Sequence, residues 1–341
     1  MIYGAYGYTG ELVAREAVER GMAPVLAGRN PAKLETLAQA LGCETRAFPL
    51  DEPDEVAKNL EDMHVVVHCA GPFVHTARPM AQACLRSATH YLDITGEIQV
   101  FEMMALMDKK AKEAGVMLMP GTGFDVVPTD CLAAHLKREL HSATKLVLAF
   151  QGVGNPSHGT TITMLENLGK GSVVRKGGKF VQGSEAHKER DVDFGEGPQS
   201  TVAIPWGDVS TAYHSTGIGD IEVYMAVSGG LRLFIRSTRY LKPLLNWGPG
   251  KRFLQSRVPE GGPNAEERAK GYSLLWGEVT DDAGNHAEAR MRTPEGYTLT
   301  MLSALHITGK VLGGDAPPGF KTPSLAYGPD LALEIEGVSR G

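Results

Sequence analysis

Short apolar runs alternate with segments of helical period over about the first 130 residues of the chain. The runs are MIY, APVLAG, HVVVHCAG, HYLDITG and VMLMPGTG, and segments such as GELVAREAVERG and NPAKLETLAQALG separate them. Strands that alternate with helices pair in parallel through right-handed crossovers. HVVVHCAG is apolar almost throughout, which is typical of a central strand that is buried on both faces. The pattern therefore predicts an α/β fold with a doubly wound parallel sheet.

The chain from about residue 131 to about residue 318 has a different pattern. ATKLVLAFQG, STVAIPWGD, DIEVYMAV and GYSLLWGEV are typical of strands, and EARMRT pairs with the last of them across the DDAGN turn. GTTITMLENLG and YTLTMLSALHITGKVLG have the period of packed helices. We expect a second, α+β domain that is built on a mostly antiparallel sheet.

Composition and charge narrow the classes of partner. The chain has 341 residues, of which 42% are hydrophobic and 22% charged, values that suit a globular protein of two domains. A net charge of −6 gives no general attraction to a phosphate backbone, so nucleic acid is not an expected partner. The four cysteines are scattered without CxxC spacing, which favours reduced thiols over a metal site or disulfides. They are Cys43, Cys69, Cys84 and Cys131.

Two features bear on membranes and targeting. No stretch reaches the roughly 18 uninterrupted apolar residues of a membrane span, and the first residues do not resemble a signal peptide. Residues 237–261 interleave cations with Trp247 and leucines, as an interfacial helix would, but Pro243 and a GPG sequence interrupt them. A solvated helical pair that covers the sheet is the better interpretation. We expect a cytoplasmic protein without stable membrane insertion.

The sequence GAYGYTG places three glycines directly after the first apolar run. In a doubly wound sheet the first strand ends in a tight turn, and the next helix points its N-terminal N–H groups at an anion. Gly4 would let the chain leave the strand, Gly7 would let the backbone approach a pyrophosphate, and Gly10 would let the helix lie close to the strand. The spacing differs from G-x-G-x-x-G, so a glycine-rich turn without a ligand stays open. MIY is short for a central strand, which leaves open whether the natural chain starts upstream of Met1. The remaining residues of the predicted cofactor-binding turn are Tyr6, Tyr8 and Thr9.

The end of the second predicted strand bears on the identity of the cofactor. A site for NAD normally has an acidic residue there to bind the ribose 2′-hydroxyl, but this chain has Gly28, Arg29 and Asn30. Arg29 at a helix start opposes the macrodipole unless an anion meets it, and a 2′-phosphate is such an anion. We therefore expect NADP(H), although a solvated surface arginine is the alternative. Lys33 is a weaker candidate for the same contact, and Asp51, after the third strand, is placed near the adenine or at the start of a loop.

The remaining strand ends are expected to build the reaction site, because ligands of open α/β sheets bind beyond the carboxyl ends of the strands. Small residues there leave room for a nicotinamide ring, and acids there accept hydrogen bonds or, with a raised pKa, donate a proton. Each acid also has a structural interpretation: Asp93 bonds its own turn, Glu97 caps the helix that follows, and Asp125 holds the crossing to the next domain. The predicted cofactor contacts are Cys69, Ala70, Gly71 and Pro72, and the predicted catalytic residues are Glu97, Asp93 and Asp125.

The ordered motifs GAYGYTG, LAGRN, HCAGPF, YLDITGE and GFDVVPTD resemble those of the saccharopine dehydrogenase-like oxidoreductases, specifically the branch of trans-acting enoyl reductases. The resemblance continues through residues 158–179, 192–224 and 319–331, so it covers nearly the whole length. It implies a Rossmann-type NADP(H) domain with an inserted second domain used for dimerisation and substrate binding. It also implies that residues 319–341 return to the first domain, residues 1–130, and that residues 131–318 form the second. The partner it implies is a second copy of the chain.

Polar side chains near glycine-rich turns of the second domain are candidates to reach the nicotinamide, although each is individually expected to be structural. We name His158, Tyr213 and Tyr297 as substrate-binding candidates. The others are Trp206, Asp208 and His214, whereas His306 lies in a helical apolar face and is expected to pack.

The sequence as a whole predicts an NADP(H)-dependent oxidoreductase that transfers a hydride to or from a C=C, C=N or C=O group. The substrate is expected to be a small, lipid-like metabolite, and Glu97 is the predicted proton donor. One alternative is reductive amination of an amino acid, which needs a cation for the carboxylate, and Arg175 is its candidate. Another is a non-catalytic NADP(H)-binding sensor or scaffold.

Overall fold

The structure is a computed structural model that describes residues 1–152, 157, 161, 172–182, 188–227, 257 and 261–341. It divides into two compact units. The first unit comprises residues 1–131 and 296–336, and the second comprises residues 132–295 and 337–341. The predicted helix at 159–169 and the cationic segment at 237–261 lie almost wholly outside the described residues.

A parallel sheet forms the centre of the first unit. Seven strands of the described chain hydrogen-bond in the order β15-β6-β5-β4-β1-β2-β3, and every pairing is parallel. The chain order reverses beside β1, which pairs with both β2 and β4, so this is a doubly wound sheet as predicted. The strands are β1 (Ile2–Tyr3), β2 (Leu26–Gly28), β3 (Thr45–Ala47), β4 (Val65–His68), β5 (His90–Asp93), β6 (Met117–Met119) and β15 (Gly319–Phe320).

Helices connect the strands of this sheet. The second helix shows why they begin where they do: Asn30 accepts a hydrogen bond from the Lys33 backbone N–H, and Pro31 occupies the first turn. The helices before the second unit are α1 (Tyr8–Glu19), α2 (Pro31–Leu41), α3 (Pro53–Lys58), α4 (Phe73–Ser87), α5 (Ile98–Ala105), α6 (Asp108–Glu113) and α7 (Val127–Glu139).

The second unit is built on a mixed sheet. Its main path among the described residues is β10-β11-β12-β7-β13-β14-β16, and β8 pairs with β12 and β9. The β12 and β7 pair is parallel and the other pairs are antiparallel, which agrees with the predicted mostly antiparallel sheet. The strands are β7 (Lys145–Gly152), β8 (Val173–Lys176), β9 (Lys179–Gln182), β10 (Glu189–Asp193), β11 (Pro198–Ala203), β12 (Asp220–Ala226), β13 (Tyr272–Thr280), β14 (His286–Pro294) and β16 (Ser339–Arg340).

Among the described residues, a hairpin and two helices accompany the central strands of this sheet. The hairpin of β13 and β14 has the predicted pairing, with Tyr272 opposite Pro294 and Thr280 opposite His286. Two helices accompany the sheet, α8 (Asp208–Thr216) and α9 (Ala265–Lys270). The sequence pattern did not predict α8, because its residues follow a strand and a proline without a clear apolar period.

A 17-residue helix, α10 (Gly296–Leu312), returns the chain to the first unit. The sequence pattern predicts this helix but assigns it to the second domain at 131–318. In the structure α10 contacts α1, β4 and β5, and its buried side chains include Leu299, Leu305 and Ile307. The boundary therefore lies at residue 296, because the apolar face of α10 packs on the parallel sheet.

The tail completes both units. After β15, the first unit ends with α11 (Pro323–Tyr327) and a 3-10 helix (Leu331–Glu334). The last residues differ from the prediction that 319–341 return to the first domain as a whole: residues 337–341 belong to the second unit, because β16 pairs with β14. No helix in the described part of the chain has the length and apolar character needed to cross a membrane.

Candidate functional site

The turn between β1 and α1 contains three glycines, and at two of them the backbone leaves no room for a side chain. Gly4 has a φ of +83°, and a Cβ on it would lie 2.8 Å from the Ala70 backbone nitrogen. A Cβ on Gly10 would lie 2.2 Å from the Gly4 carbonyl oxygen, and one on Gly7 would lie 3.3 Å from the same oxygen. The Gly7 N–H donates to that oxygen at 3.0 Å, which closes the turn. The backbone is therefore packed too closely for side chains at the first and last of these glycines.

The N-terminus of α1 lies at the end of this turn. Gly7 is the N-cap residue and makes no side-chain hydrogen bond, since it has none to make. The first backbone N–H groups of a helix have no partner within the helix, and the helix dipole favours an anion beside them. The turn therefore fits the pyrophosphate of a dinucleotide, because a helix N-terminus follows it directly and its glycines carry no side chains.

The end of β2 brings an aromatic ring and two cations together. A Cβ on Gly28 would lie 2.6 Å from the Tyr6 ring, so the ring rests on the bare backbone there. The Lys33 ammonium lies 5.9 Å from the centre of the same ring. Arg29 is exposed and makes no ion pair with any residue that the structure describes. Asn30 differs from the predicted ligand role in one respect, because its side-chain oxygen already caps α2.

A hydrogen bond from Tyr3 links the end of β1 to the segment after β3. The Tyr3 hydroxyl donates to the Phe48 carbonyl oxygen at 2.9 Å. Burial raises the pKa of this phenol to about 12, and the charges of Arg29 and Asp51 act on it in opposite directions. Arg29 and Asp51 therefore both lie near the carboxyl edge of the sheet, where they were predicted, and both are exposed.

The segment after β4 lies directly beside the glycine turn. The Cys69 N–H donates to the Tyr3 carbonyl oxygen at 2.8 Å, which continues the pairing of β4 with β1. Ala70 packs against Gly4, and Gly71 and Pro72 follow in a cis peptide before α4 begins at Phe73. Burial, reinforced by the Asp93 charge, raises the pKa of the Cys69 thiol to about 12. Cys69 is thus a neutral packing residue at neutral pH.

Glu97 does not have the position expected of a proton donor. Its two carboxylate oxygens accept hydrogen bonds from the backbone N–H groups of Phe73 and Val74, each at 2.8 Å. These are the first N–H groups of α4, so the carboxylate caps that helix and complements its dipole. The interpretation that Glu97 caps the helix that follows is also wrong, because it makes no side-chain hydrogen bond to α5.

Asp93 has a structural position at the end of β5. One oxygen accepts from the Tyr91 hydroxyl at 2.6 Å, and the other accepts from the Thr95 and Gly121 N–H groups at 3.0 and 2.8 Å. These bonds join the ends of β5 and β6. Complete burial raises the pKa of Asp93 to about 7 against the effect of its three donors. The carboxyl group is occupied on both oxygens, as the structural interpretation of Asp93 expects.

Asp125 lies on the loop between β6 and α7. A Cβ on Gly96 would lie 2.7 Å from an Asp125 carboxyl oxygen, so the absence of a side chain at Gly96 makes space for the carboxyl group. Burial raises the pKa of Asp125 to about 7. Two residues of α10 hold the loop: the Thr300 hydroxyl accepts from the Phe124 N–H at 3.0 Å, and Ser303 donates to the Thr122 carbonyl oxygen at 2.7 Å.

The predicted substrate residues belong to different units. Tyr297 begins α10 in the first unit, and its ring packs edge-on against Tyr8 at 5.1 Å, beside the start of α1. Tyr213 lies in α8 of the second unit, as do Asp208 and His214, with Trp206 just before it. His158 lies outside the described residues. His306 bonds Glu334 at 2.9 Å, which fits a packing role.

Arg175 is engaged within the second unit. Its guanidinium lies 4.1 Å from the ring centres of both Phe180 and Tyr213, and it donates to the carbonyl oxygens of Val209 and Gly178. The side chain is 3% exposed. A guanidinium held in this way does not present its donors to a substrate carboxylate. Arg175 therefore does not support the alternative of reductive amination of an amino acid, which needs a cation for the carboxylate.

Sequence reasoning missed two residues beside the cofactor segment, His68 and Thr76. His68 ends β4 and is completely buried, and Thr76 lies in the first turn of α4. A histidine at the end of an otherwise apolar central strand is a signal that could have indicated His68. Nothing local marks Thr76, because its partners are set by the fold.

Comparison with known proteins connects this geometry to a family. Residues 1–119 match the family model described as the saccharopine dehydrogenase NADP binding domain. A saccharopine dehydrogenase-like oxidoreductase of Rattus norvegicus is 28% identical over 182 residues, a match that covers 48% of this chain and 42% of the rat protein. The matched part is thus less than half of that relative. A putative trans-acting enoyl reductase of Mycobacterium tuberculosis is 27% identical over 98% of this chain and 88% of its own length.

Solved structures show the same fold. Apo saccharopine dehydrogenase (L-Glu forming) from Saccharomyces cerevisiae aligns with a TM-score of 0.66 at 12% identity, over 100% of this chain and 98% of that one. Homospermidine synthase from Legionella pneumophila, in complex with NAD, aligns with a TM-score of 0.68 at 12% identity over 100% and 90%. The resemblance predicted from the motifs is therefore confirmed: residues 1–119 match the nucleotide-binding domain of the saccharopine dehydrogenase family, and the chain is similar to relatives named as saccharopine dehydrogenase-like oxidoreductases and trans-acting enoyl reductases.

Proposed function

We propose that the protein is an NADP(H)-dependent oxidoreductase that transfers a hydride to or from a C=C, C=N or C=O group of a small, lipid-like metabolite. The observation that carries the proposal is the turn after β1. Gly4 and Gly10 allow no side chain, and the N-terminus of α1, whose dipole favours an anion, follows the turn directly. The match of residues 1–119 to an NADP-binding domain supports the same ligand.

The preference for the phosphorylated cofactor is assigned to Arg29. No acid lies at the end of β2 to bind a ribose 2′-hydroxyl, and Arg29 there makes no ion pair with any residue in the described ranges. A guanidinium bound to the 2′-phosphate is worth about 1.5 to 3 kcal/mol, or roughly ten- to a hundredfold in affinity. Tyr6 contacts Gly28, the residue before Arg29, and Lys33 lies near the Tyr6 ring, so both are expected to border the adenosine.

The reaction end is assigned to the segment after β4 and the loop after β6. Bound NADPH supplies the hydride. Ala70, Gly71 and Pro72 would border the nicotinamide ribose, since they lie beside Gly4 at the carboxyl edge of the sheet. Asp125 replaces Glu97 as our proton donor, because burial brings its pKa to about 7, where an acid both holds and releases a proton near neutral pH. Glu97 and Asp93 hold the backbone around them.

A lipid-like substrate is supported by the similarity to proteins named as trans-acting enoyl reductases over nearly the whole chain. We keep the proposal that the protein works as a homodimer through its second domain, with light scattering of the purified protein as its measurement. A non-catalytic nucleotide sensor would bind the cofactor and turn over no substrate, so a turnover assay separates the two.

The binding test compares NADPH with NADH by titration. We expect NADPH to bind at least about tenfold more tightly, and the Arg29→Ala variant to lose this difference while its affinity for NADH stays the same. Arg20→Ala is the matched control, because Arg20 is a partly exposed arginine at the opposite end of α1. Equal affinities of the natural protein for the two cofactors would refute the role of Arg29. A screen of NADPH oxidation with enals, enones, imines and keto acids then tests the reaction.

A further inference from the structure

His68 is a polar side chain in an apolar environment. It is the last residue of β4, a strand buried throughout, and it is 0% exposed. Its ring lies against the rings of Tyr3, Phe73 and Tyr91, with centres 5.5, 5.4 and 6.1 Å away. An apolar side chain would fill this place without the cost of burying two ring nitrogens, so the polarity of His68 calls for an explanation.

The hydrogen bonds of His68 supply one. Its Nε2 atom lies 3.0 Å from the Thr76 hydroxyl oxygen, and that oxygen lies 2.7 Å from the Ala70 carbonyl oxygen and 3.2 Å from the Pro72 carbonyl oxygen. A hydroxyl has one proton, and the shorter contact between two oxygens requires it. The His68 Nε2–H therefore donates to Thr76, and the Thr76 O–H donates to Ala70.

Within the described part of the chain, the other ring nitrogen of His68 makes no hydrogen bond that would stabilise the fold. The Nδ1 atom of His68 has no hydrogen-bond partner among the residues that the structure describes. An unpaired buried nitrogen destabilises a fold. Burial also lowers the pKa of His68 to about 3, so the ring is neutral at neutral pH and the direction of the hydrogen bonds does not change there.

The Ala70 carbonyl is the middle of a segment that is fixed at both ends. Before it, the Cys69 N–H pairs with β1, and after it, Glu97 holds the first N–H groups of α4. Ala70 itself packs on the bare backbone of Gly4. A shift of Ala70 would therefore move the wall between the glycine turn and the start of α4.

We propose that His68 and Thr76 are positioning residues, which hold the Ala70 carbonyl and with it residues 70–72 in the place that receives the nicotinamide half of the cofactor. The hydrogen bonds strengthen one another, since each group donates and the middle one also accepts. The proposal rests on the proposed function, because it needs a nicotinamide nucleotide in the turn after β1. It assigns to neither residue a contact with the substrate.

The test compares two ligands that share the adenosine half. We would titrate NADPH and 2′,5′-ADP, which carries the 2′-phosphate but no nicotinamide, into Thr76→Val and Thr76→Ser. We expect the valine variant to bind NADPH about three- to tenfold more weakly, the effect of one net hydrogen bond, and to bind 2′,5′-ADP as the natural protein does. The serine variant keeps the hydroxyl and should behave as the natural protein. Thr36→Val is the matched control, since the Thr36 hydroxyl also donates to a backbone carbonyl in a helix, at an exposed site.

His68→Leu is the second variant. It removes the unpaired nitrogen together with the donor to Thr76, so we expect an unfolding midpoint equal to or above that of the natural protein, yet the same selective loss of NADPH affinity. If Thr76→Val lowered the affinities for NADPH and 2′,5′-ADP equally, Thr76 would have only a structural role and the proposal would be overturned. Unchanged NADPH affinity in both variants would do so too. Failure of the natural protein to bind either ligand would overturn the proposed function itself, which the variants do not address.

Discussion

Removal of the Glu97 carboxylate should destabilise the first unit. Its two oxygens are the partners of the Phe73 and Val74 N–H groups, at 2.8 Å each. In Glu97→Ala both donors lose a charged acceptor at the helix end, where the dipole makes a negative charge most favourable. Val74 is 44% exposed, so water reaches the end of α4 and replaces part of what is lost.

The size of the effect follows from these contacts. Two charge-assisted hydrogen bonds are worth about 3 kcal/mol or more before water replaces them, and loss of a helix cap typically costs about 1 kcal/mol. We therefore expect Glu97→Ala to lower the free energy of unfolding by about 2 kcal/mol, which lowers the unfolding midpoint by roughly 4 to 8 °C in a domain of this size. Glu97→Gln keeps one acceptor and should lose about half as much.

The assay is thermal unfolding followed by circular dichroism, with NADPH affinity measured on the same samples. Glu35→Ala is the matched control, because Glu35 is an exposed glutamate of α2. If Glu97→Ala unfolds at the temperature of the control and loses only turnover, the carboxylate is a catalytic group and the capping argument fails.

Three further changes test other parts of the site. In Gly10→Ala the new methyl group would lie 2.2 Å from the Gly4 oxygen, so the turn must open, and titration should show NADPH affinity reduced at least about tenfold. In Gly96→Ala the methyl group would displace the Asp125 carboxyl group, and the pH profile of turnover should lose its step near pH 7 while urea unfolding changes little. The pKa of Asp93 is raised on folding to about 7, so its contribution to stability is fully present below the unfolded pKa of about 4 and is lost as pH rises to about 7. Asp93→Asn should remove that part of the pH dependence in urea unfolding, and an unchanged pH dependence would contradict it.

The parts of the fold and of the site that depend on local sequence patterns could be predicted. The alternation of strands and helices, the glycine turn and the cap at Asn30 each follow from a few adjacent residues, and the structure places all three as expected. The carboxyl edge of the sheet also collects Arg29 and Asp51, because parallel strands end at the same side.

The roles of individual acids could not be predicted in the same way. Glu97 lies directly before α5, so the local pattern suggests a cap for that helix, yet its side chain caps α4, whose first residue is 24 positions earlier. The direction of the Glu97 side chain depends on the pairing of β4 with β5, which brings the segments after these two strands together. The place of α10 is a similar case: its period predicts a helix, but only packing on α1 and β4 assigns it to the first unit.

The return of α10 also has a consequence for biosynthesis. A ribosome releases residues 1–131 long before it makes residues 296–336, although one folded unit needs both. Until then, the surfaces of α1 and β4 that α10 contacts remain open to water, and the Thr300 hydroxyl that accepts from the Phe124 N–H has not been made. Residues 1–131 therefore remain an incomplete unit while the ribosome makes the second unit. A shortened gene that stops at residue 131 would yield only this incomplete unit.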